Sequence, residues 1–334
     1  MLPQFSIIMP AANAESTIQC ALRAVLRQQS KAGFELVVVD DASIDNTREI
    51  AKKFPLKLVA LSKNLGAGAA RNQGAKSARG GILVFVDADV FLEDGALLRM
   101  EEFFEAHPKA AGLVGNYTAF PFDRGACSVY HNFFTVYHHA LSRERIEWFW
   151  GALSAVRKEP FAKLGGFSEQ YPGASAEDIE LGYRLSEAGS QVYFLPELRG
   201  THARKFSLRS MLYNDYHKAV LGLKLYLKRK PAGKHPHGFS SLLNGFNLLL
   251  AMLSWPAALS FIFHRGMLYL LLLAVFAAAN FRFYRYIWRR AGALYVISSI
   301  PLHWMAFNAI AAGALGGAIG LLLGKGLESD SRWI

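Results

Sequence analysis

The amino-terminal part of the chain alternates short, wholly apolar runs with longer stretches that have helical spacing. Phe5–Met9, Leu36–Val39 and Ile82–Val86 are apolar runs of strand length, and strands of this kind are covered by protein on both faces. Between such runs, Glu15–Gln29 places apolar residues three and four positions apart, which is typical of an amphipathic helix. The alternation predicts an α/β fold with a mostly parallel, Rossmann-like sheet and helices on both of its faces.

The same patterns predict the remaining elements of this region. Further strands are expected at Leu56–Leu61, Ala111–Phe120, Trp150–Val156 and Gln191–Leu195, and further helices at Asp45–Phe54, Gly68–Ala78, Arg124–Arg143, Ala176–Ala188 and Ser207–Lys230. The last helix is basic and amphipathic, and it leads into a linker of Pro, Gly, His and Lys at Pro231–Gly238.

Carboxylates follow directly after two of the predicted strands. Asp41 comes after the second strand, and Asp87-Ala88-Asp89 follows Ile82–Val86. In open α/β sheets, ligands bind outside the carboxyl ends of the strands. Two carboxylates at this edge suit Mg²⁺ or Mn²⁺ together with substrate phosphates, because hard cations prefer oxygen ligands. A solvated turn would carry the same residues.

A glycine-containing segment, Asn64–Asn72, precedes a predicted helix. Gly66 and Gly68 allow a ligand to approach the backbone at a helix N-terminus, which favours anions. Arg71 is a suitable partner for a phosphate or a base. No Gly-Lys-Ser/Thr follows, so the segment is not a Walker loop, and an ordinary surface helix start remains the alternative.

Candidate residues recur in the later half of this region. Glu177-Asp178 opens a helix, where a carboxylate either acts as a general base or stabilises the helix dipole. His202 follows a predicted strand, and the basic pair Arg204-Lys205 after it suits an anionic group. Trp150 belongs to an aromatic and histidine-rich group that faces an acceptor or packs in the core.

The carboxyl-terminal part contains three segments without a charged residue, Phe239–Phe263, Gly266–Phe281 and Ala291–Gly324. A membrane-spanning helix needs about 20 apolar residues. About three spans are therefore expected, near 239–263, 266–281 and 294–324, with two or four as alternatives. The predicted domains are a catalytic domain at 1–230, which includes the basic interfacial helix, and a transmembrane anchor at 231–334.

The net charge of +11 points to a membrane surface rather than to nucleic acid. Lys and Arg cluster just before the first apolar segment and again at Arg282–Arg290, which fits the positive-inside pattern of integral membrane proteins. No zinc spacing or nucleic-acid-binding module is present. The two cysteines, Cys20 and Cys127, are expected to be unpaired thiols in a reducing compartment.

Taken in order, the motifs resemble those of family 2 glycosyltransferases, which have a GT-A fold. The resemblance covers about residues 4–215. It is carried by Ser6–Glu15, Val38–Thr47, Asn64–Asn72, Asp87–Asp89, Gly165–Phe167 and Glu177–Leu185. Ala12 departs from the pattern because the family usually has an aromatic residue there. The Gln-x-x-Arg-Trp element of processive synthases is missing, which favours the transfer of single sugars.

The resemblance also implies roles for individual residues. The donor nucleotide would be bound by Pro10, Ala12, Glu15, Asp41, Arg71, Asp87 and Ala88. Mg²⁺ or Mn²⁺ would be bound by Asp89 with Asp87 and His202, and Asp178 would be the catalytic base of an inverting displacement. Glu177, Trp150, Arg204 and Lys205 would lie toward the acceptor or the diphosphate.

The expected protein is an integral membrane glycosyltransferase of the cell inner membrane, with its catalytic domain in the cytoplasm. It would move one sugar from a nucleotide sugar, preferably a UDP-sugar, to a lipid or lipid-linked acceptor. One alternative is a polyprenyl-phosphate sugar synthase. A non-enzymatic alternative is a membrane scaffold with a degenerate nucleotide-binding domain. A nucleotidyltransferase is disfavoured because no Gly-rich loop follows the first strand.

Overall fold

The computed structural model describes residues 4–170, 176–229, 242–258 and 266–323. The chain forms two compact units. The sheet unit comprises the described parts of Met1–Thr118 and Ser142–Arg204, and the helical unit comprises Ala119–Leu141 and the described part of Lys205–Leu327. The domain boundary predicted at residue 230 and the predicted linker lie outside the described residues, so that boundary stays a prediction.

In the described residues, nine strands form one sheet in the order β3-β2-β1-β4-β8-β6-β9-β5, with β7 paired to β9. The strands are β1 Phe5–Ala11, β2 Phe34–Asp40, β3 Lys57–Ala60, β4 Ile82–Val86, β5 Val90–Leu92, β6 Ala110–Tyr117, β7 Arg145–Ile146, β8 Leu153–Arg157 and β9 Gln191–His202.

The helices are divided between the two units. The sheet unit contains α1 Ile18–Leu26, α2 Thr47–Ala51, α3 Ala67–Ser77, α4 Ala96–Ala106, α6 Lys158–Lys163 and α7 Glu177–Glu187. The helical unit contains α5 Ala126–Ala140, α8 Leu208–Arg229, α9 Leu242–Ala258, α10 Met267–Ala279, α11 Phe281–Ala291 and α12 Ala293–Leu322.

The sheet is mixed, so the prediction of a mostly parallel sheet is wrong for its second half. The pairs β3-β2, β2-β1 and β1-β4 are parallel, as predicted. Strand β8 runs antiparallel to both of its neighbours, β4 and β6. Leu153 at the start of β8 lies opposite Val86 at the end of β4. The chain therefore enters β8 at the edge where β4 ends and runs back along it.

The central strands are buried on both faces, as their wholly apolar sequences predict. Ile8 and Phe85 project to one face, where they join a cluster that includes Phe161, Phe167 and Leu181. The neighbouring residues Ile7 and Val84, which alternate to the other face, are also fully buried. This double burial holds the carboxyl ends of β1, β2 and β4 in fixed positions at one edge.

Some elements differ from their predicted bounds. Helix α2 is shorter than the predicted Asp45–Phe54, because the carboxylate of Asp45 instead accepts the backbone N–H groups of Glu15 and Thr47. Strand β5 and helix α4 were not predicted. A three-residue strand shows no clear alternation, and α4 follows Gly95 in a left-handed conformation rather than a side chain that caps it.

In the helical unit, α8 and α12 pack closely through glycines. A Cβ atom at Gly313 would collide with the backbone oxygen of Tyr216, and one at Gly317 would lie 3.0 Å from that of Val220. Small residues four positions apart allow two helix backbones to approach in this way. The basic helix predicted at Ser207–Lys230 therefore has one side occupied by α12.

The prediction of three membrane spans is not confirmed. Among the described residues, α12 is the one single helix that is long and apolar enough to cross a membrane. Helices α10 and α11 pass that test only together, and they are bent by 64°. The predicted span 239–263 lies partly outside the described residues. The basic segment Arg282–Arg290, which was predicted to lie between two spans, forms most of helix α11. Phe283, Tyr284 and Ile287 are spaced so that they share one side of this helix, and that side is buried.

Gly182 on α7 tests how tightly this helix packs on the sheet unit. A Cβ atom there would collide with backbone atoms of Trp148 and Phe149, whereas one at Gly81 would meet nothing within 4 Å. We expect Gly182→Ala to lower the free energy of unfolding by about 2 kcal/mol, despite the helix preference for Ala of ~1 kcal/mol. Thermal unfolding in detergent measures the change, and Gly81→Ala should leave the midpoint unaltered. Equal midpoints for both variants would contradict this packing.

Candidate active site

The loop after β1 is tied to the turn after β2. The carboxylate of Glu15 accepts hydrogen bonds from the backbone and side-chain N–H groups of Asn46, each at 3.0 Å, and the backbone N–H of Glu15 donates to Asp45 at 3.0 Å. Pro10 is half-buried and Ala12 is exposed. Two predicted donor-binding residues therefore lie at an accessible strand end, while Glu15 shapes the loop beside them.

Asp41 connects its own motif, Val38–Thr47, to the glycine-containing motif Asn64–Asn72. Its Oδ1 accepts the backbone N–H of Leu65 at 2.7 Å, and its Oδ2 accepts that of Gly66 at 2.9 Å. Burial raises the pKa of Asp41, and these two hydrogen bonds oppose the rise. A carboxylate offers about four lone-pair sites. If Asp41 recognises the nucleotide base, as predicted, it would use the lone-pair sites that do not accept the N–H groups of Leu65 and Gly66.

Arg71 is the buried centre of the site. Its guanidinium donates to Asp87 Oδ1 at 2.7 Å and to Glu177 Oε1 at 3.0 Å, and the residue is 2% exposed. Burial alone would lower the pKa of Arg71, but the carboxylates of Asp87, Glu177 and Asp178 raise it above its ordinary value. Arg71 thus joins three of the sequence motifs, which are Asn64–Asn72, Asp87–Asp89 and Glu177–Leu185.

Asp178 lies beside this centre at the start of α7. Its Oδ2 accepts the backbone N–H of Gly151 at 3.1 Å, and its Oδ1 accepts that of Ile179 at 2.7 Å. Burial and the neighbouring Glu177 raise the pKa of Asp178 to about 6, against the opposing charge of Arg71. Glu177 is 1% exposed and accepts a hydrogen bond from Arg71, so its carboxylate holds the Arg71 guanidinium in position.

The carboxylates of Asp87 and Asp89 remain partly open. Their side chains are 28% and 29% exposed, while Ala88 between them is buried. Burial would raise the pKa of Asp89, but His202 and Arg204 hold it below its usual range. His202 Nε2 lies 3.7 Å from Asp89 Oδ2. Asp89 is thus held in its ionised form.

These residues fit a divalent cation whose coordination is completed by a ligand. Within the described ranges, no three His, Cys, Asp or Glu side chains are grouped so as to hold a metal ion alone. Two partly open carboxylates are instead what Mg²⁺ uses when substrate phosphates supply other oxygen ligands. The donor set therefore suits a metal that binds together with a diphosphate.

Two aromatic side chains, Tyr117 and Trp150, pack in a row with the imidazole of His202. The imidazole of His202 stacks on the ring of Tyr117, with centroids 4.4 Å apart and planes 7° apart. The half-buried Trp150 meets Tyr117 at 4.5 Å in an edge-on arrangement. Of the basic pair, Arg204 is an exposed residue of the sheet unit, and Lys205 is an exposed residue of the helical unit.

Sequence reasoning missed two residues that shape this site. Asn72 donates to the backbone oxygen of Phe167 at 2.8 Å and accepts its N–H at 2.9 Å. It thereby connects α3 to the Gly165–Phe167 motif. Its position next to Arg71 in the sequence could have indicated that it belongs to the site. Tyr117, which lies under His202, had no signal, because an aromatic residue at a strand end looks like any core residue.

The chain matches two known families within residues 6–207. Residues 6–165 match the family described as "Glycosyl transferase family 2", and residues 131–207 match "N-terminal domain of galactosyltransferase". Validoxylamine A glucosyltransferase of Streptomyces hygroscopicus subsp. limoneus is 27% identical over 221 residues, which cover 56% of this chain and 49% of that protein. The chain spans about half the length of several curated relatives that it matches.

Solved structures share the fold. The mannosyltransferase PcManGT from Pyrobaculum calidifontis, in complex with GDP-Man and Mn²⁺, aligns with a TM-score of 0.60 at 21% identity over 97% of this chain and 88% of its own. Residues 1–349 of Staphylococcus aureus TarS, in complex with UDP-GlcNAc, align with a TM-score of 0.51 at 20% identity over 96% and 92% of the two chains. The prediction of a GT-A-like α/β fold is confirmed.

The ion pairs of Arg71 predict a large cost for its removal. Arg71→Met leaves the carboxylates of Asp87 and Glu177 without their guanidinium, and breaking a buried pair costs about 3–5 kcal/mol. Arg79→Met is the matched control, because Arg79 pairs with Glu35 at the surface, where an ion pair contributes under ~1 kcal/mol. Thermal unfolding of both variants makes the comparison, and similar losses of stability would refute the central place of Arg71.

Proposed function

Because residues 6–165 match the family described as "Glycosyl transferase family 2", we propose that this protein is anchored in a membrane and transfers a single sugar with inversion. The donor is a nucleoside-diphosphate sugar, and the acceptor is a lipid or lipid-linked molecule at the cytoplasmic face of the membrane. The observation that carries the proposal is the convergence of Asp87, Glu177 and Asp178 on Arg71 at the carboxyl edge of the sheet. This convergence brings the carboxylates proposed for the diphosphate and metal close to the carboxylate proposed for the acceptor.

The donor would bind at the ends of β1, β2 and β4. Pro10, Ala12 and Asp41 would receive the nucleoside, and Asp87 and Asp89 would lie toward the diphosphate. A UDP-sugar is the donor we propose, while the structural neighbours contain a GDP-sugar and a UDP-sugar. Mg²⁺ or Mn²⁺ held by Asp89 and Asp87, with His202 nearby, would neutralise the diphosphate leaving group when bound.

Asp178 would remove the proton of the acceptor hydroxyl. The N–H groups of Gly151 and Ile179 hold its two oxygens in place, and its pKa of about 6 suits proton transfer near neutral pH. A polyprenyl-phosphate acceptor is the alternative. Such an acceptor is already ionised, so it would not need this base.

Membrane anchoring is supported by the helical unit. Helix α12 is long and apolar enough to cross a bilayer, and basic residues lie before and between the apolar segments. A cytoplasmic catalytic domain beside the membrane would meet a lipid-linked acceptor in two dimensions. The exposed Arg204 and Lys205 suit the phosphates of the donor or acceptor.

Metal-dependent donor binding tests the donor site. We expect calorimetric titration with UDP- and GDP-sugars to show binding that requires Mn²⁺, and Asp89→Ala to weaken it at least about tenfold through loss of a metal ligand. Asp94→Asn is the control, because Asp94 is an exposed acid of the same unit. Unchanged binding by Asp89→Ala would support the scaffold alternative.

The pH dependence of transfer tests the base. Because the pKa of Asp178 is raised to about 6, lowering the pH through that value protonates it, and kcat/KM should fall below about pH 6. Asp178→Asn should lower kcat by about 10²-fold or more and abolish this limb of the profile. Near-normal turnover by Asp178→Asn, with Asp94→Asn as the reference, would favour the polyprenyl-phosphate alternative.

A further inference from the structure

Helix α10 has an outward surface that is almost entirely apolar. Met267, Leu268, Leu270 and Leu271 are all exposed, and the helix has no charged residue. Its 13 residues extend roughly 20 Å at about 1.5 Å per residue. This is shorter than the hydrocarbon core of a bilayer, which is about 30 Å thick. Helix α10 by itself is therefore too short to span a membrane.

Helix α11, which follows directly, cannot complete such a span. Its axis is bent by 64° from that of α10. Phe283, Tyr284 and Ile287 are buried in the helical unit, whereas its arginines face outward. Arg282, Arg285 and Arg289 are exposed. Arginines on a lipid-facing surface are costly in the hydrocarbon core but stable at head-group level.

We infer that α11 lies in the head-group layer and binds the phosphates of anionic phospholipids, while α10 dips into the adjacent acyl chains. The inference rests on the membrane attachment in the proposed function, and it names the lipid class and the residues. Trp288 is exposed on the same helix. Tryptophan is enriched where a bilayer meets water.

The charge pattern of the helical unit supports an anionic partner. No Asp or Glu occurs between Asp215 and Glu328, whereas Lys and Arg recur through that part of the sequence. Helix α11 itself combines four arginines with no acidic residue. A membrane surface rich in anionic lipid attracts such a segment, and each basic residue adds a several-fold factor to binding.

Lipid selectivity of the full chain tests this inference. The detergent-solubilised protein is incubated with phosphatidylglycerol or phosphatidylcholine, and bound lipid is measured by native mass spectrometry. We expect a preference for phosphatidylglycerol that falls about tenfold or more in the triple variant Arg282→Gln, Arg285→Gln, Arg289→Gln. The control Lys53→Gln, Lys76→Gln, Lys109→Gln removes three exposed charges from the sheet unit and should keep the preference. Equal selectivity in both triple variants would overturn the inference.

A depth measurement tests the same arrangement without removing the arginines. Spin labels are placed at Leu271→Cys on α10 and at Trp288→Cys on α11, in a Cys20→Ser, Cys127→Ser background reconstituted in vesicles. Collisions with oxygen should dominate at position 271, and collisions with a water-soluble nickel chelate at position 288. A label at 288 as deep as that at 271 would contradict the proposal. Donor titration of the same samples shows separately whether the glycosyltransferase site is intact.

Discussion

The guanidinium of Arg71 unites parts of the chain that are far apart in sequence. It contacts Asp87 after β4 and Glu177 at the start of α7, and Gly151 lies so close that a Cβ atom there would collide with it. The buried carboxylate of Glu177 and the partly open carboxylate of Asp87 are both stabilised by the cation that lies between them. Asp178, the proposed base, lies near the same guanidinium that bonds to Asp87, a proposed metal ligand. Folding and proposed chemistry thus depend on one set of ion pairs.

Much of the sheet unit could be predicted because its signals are local. The apolar runs located β1, β2 and β4, and the carboxylates after them lie at the expected edge. The reversal at β8 could not be predicted, since a strand reads the same in either direction. Tyr117 and Gly182 were not recognised either. Their importance comes from His202 and from the Trp148 backbone, which are distant in sequence.

The helical unit shows where a hydropathy pattern reaches its limit. Three charge-free segments suggested three spans, yet charge-free length says nothing about bends or about which side of a helix is buried. The 64° bend after α10 and the buried stripe of α11 depend on tertiary packing. The glycines of α12 became informative only when Tyr216 and Val220 of α8 were found against them. Composition therefore does not predict how these apolar segments are bent or packed.

The central proposal is that the protein moves a sugar from a nucleotide to a lipid. The most direct test incubates membranes containing the protein with radiolabelled UDP- and GDP-sugars and measures the label that enters the organic extract. We expect divalent-metal-dependent transfer from one of these donors, and none in membranes containing Asp89→Ala. Absence of transfer from either donor by the wild type, or equal transfer by Asp89→Ala and the wild type, would refute the proposed function.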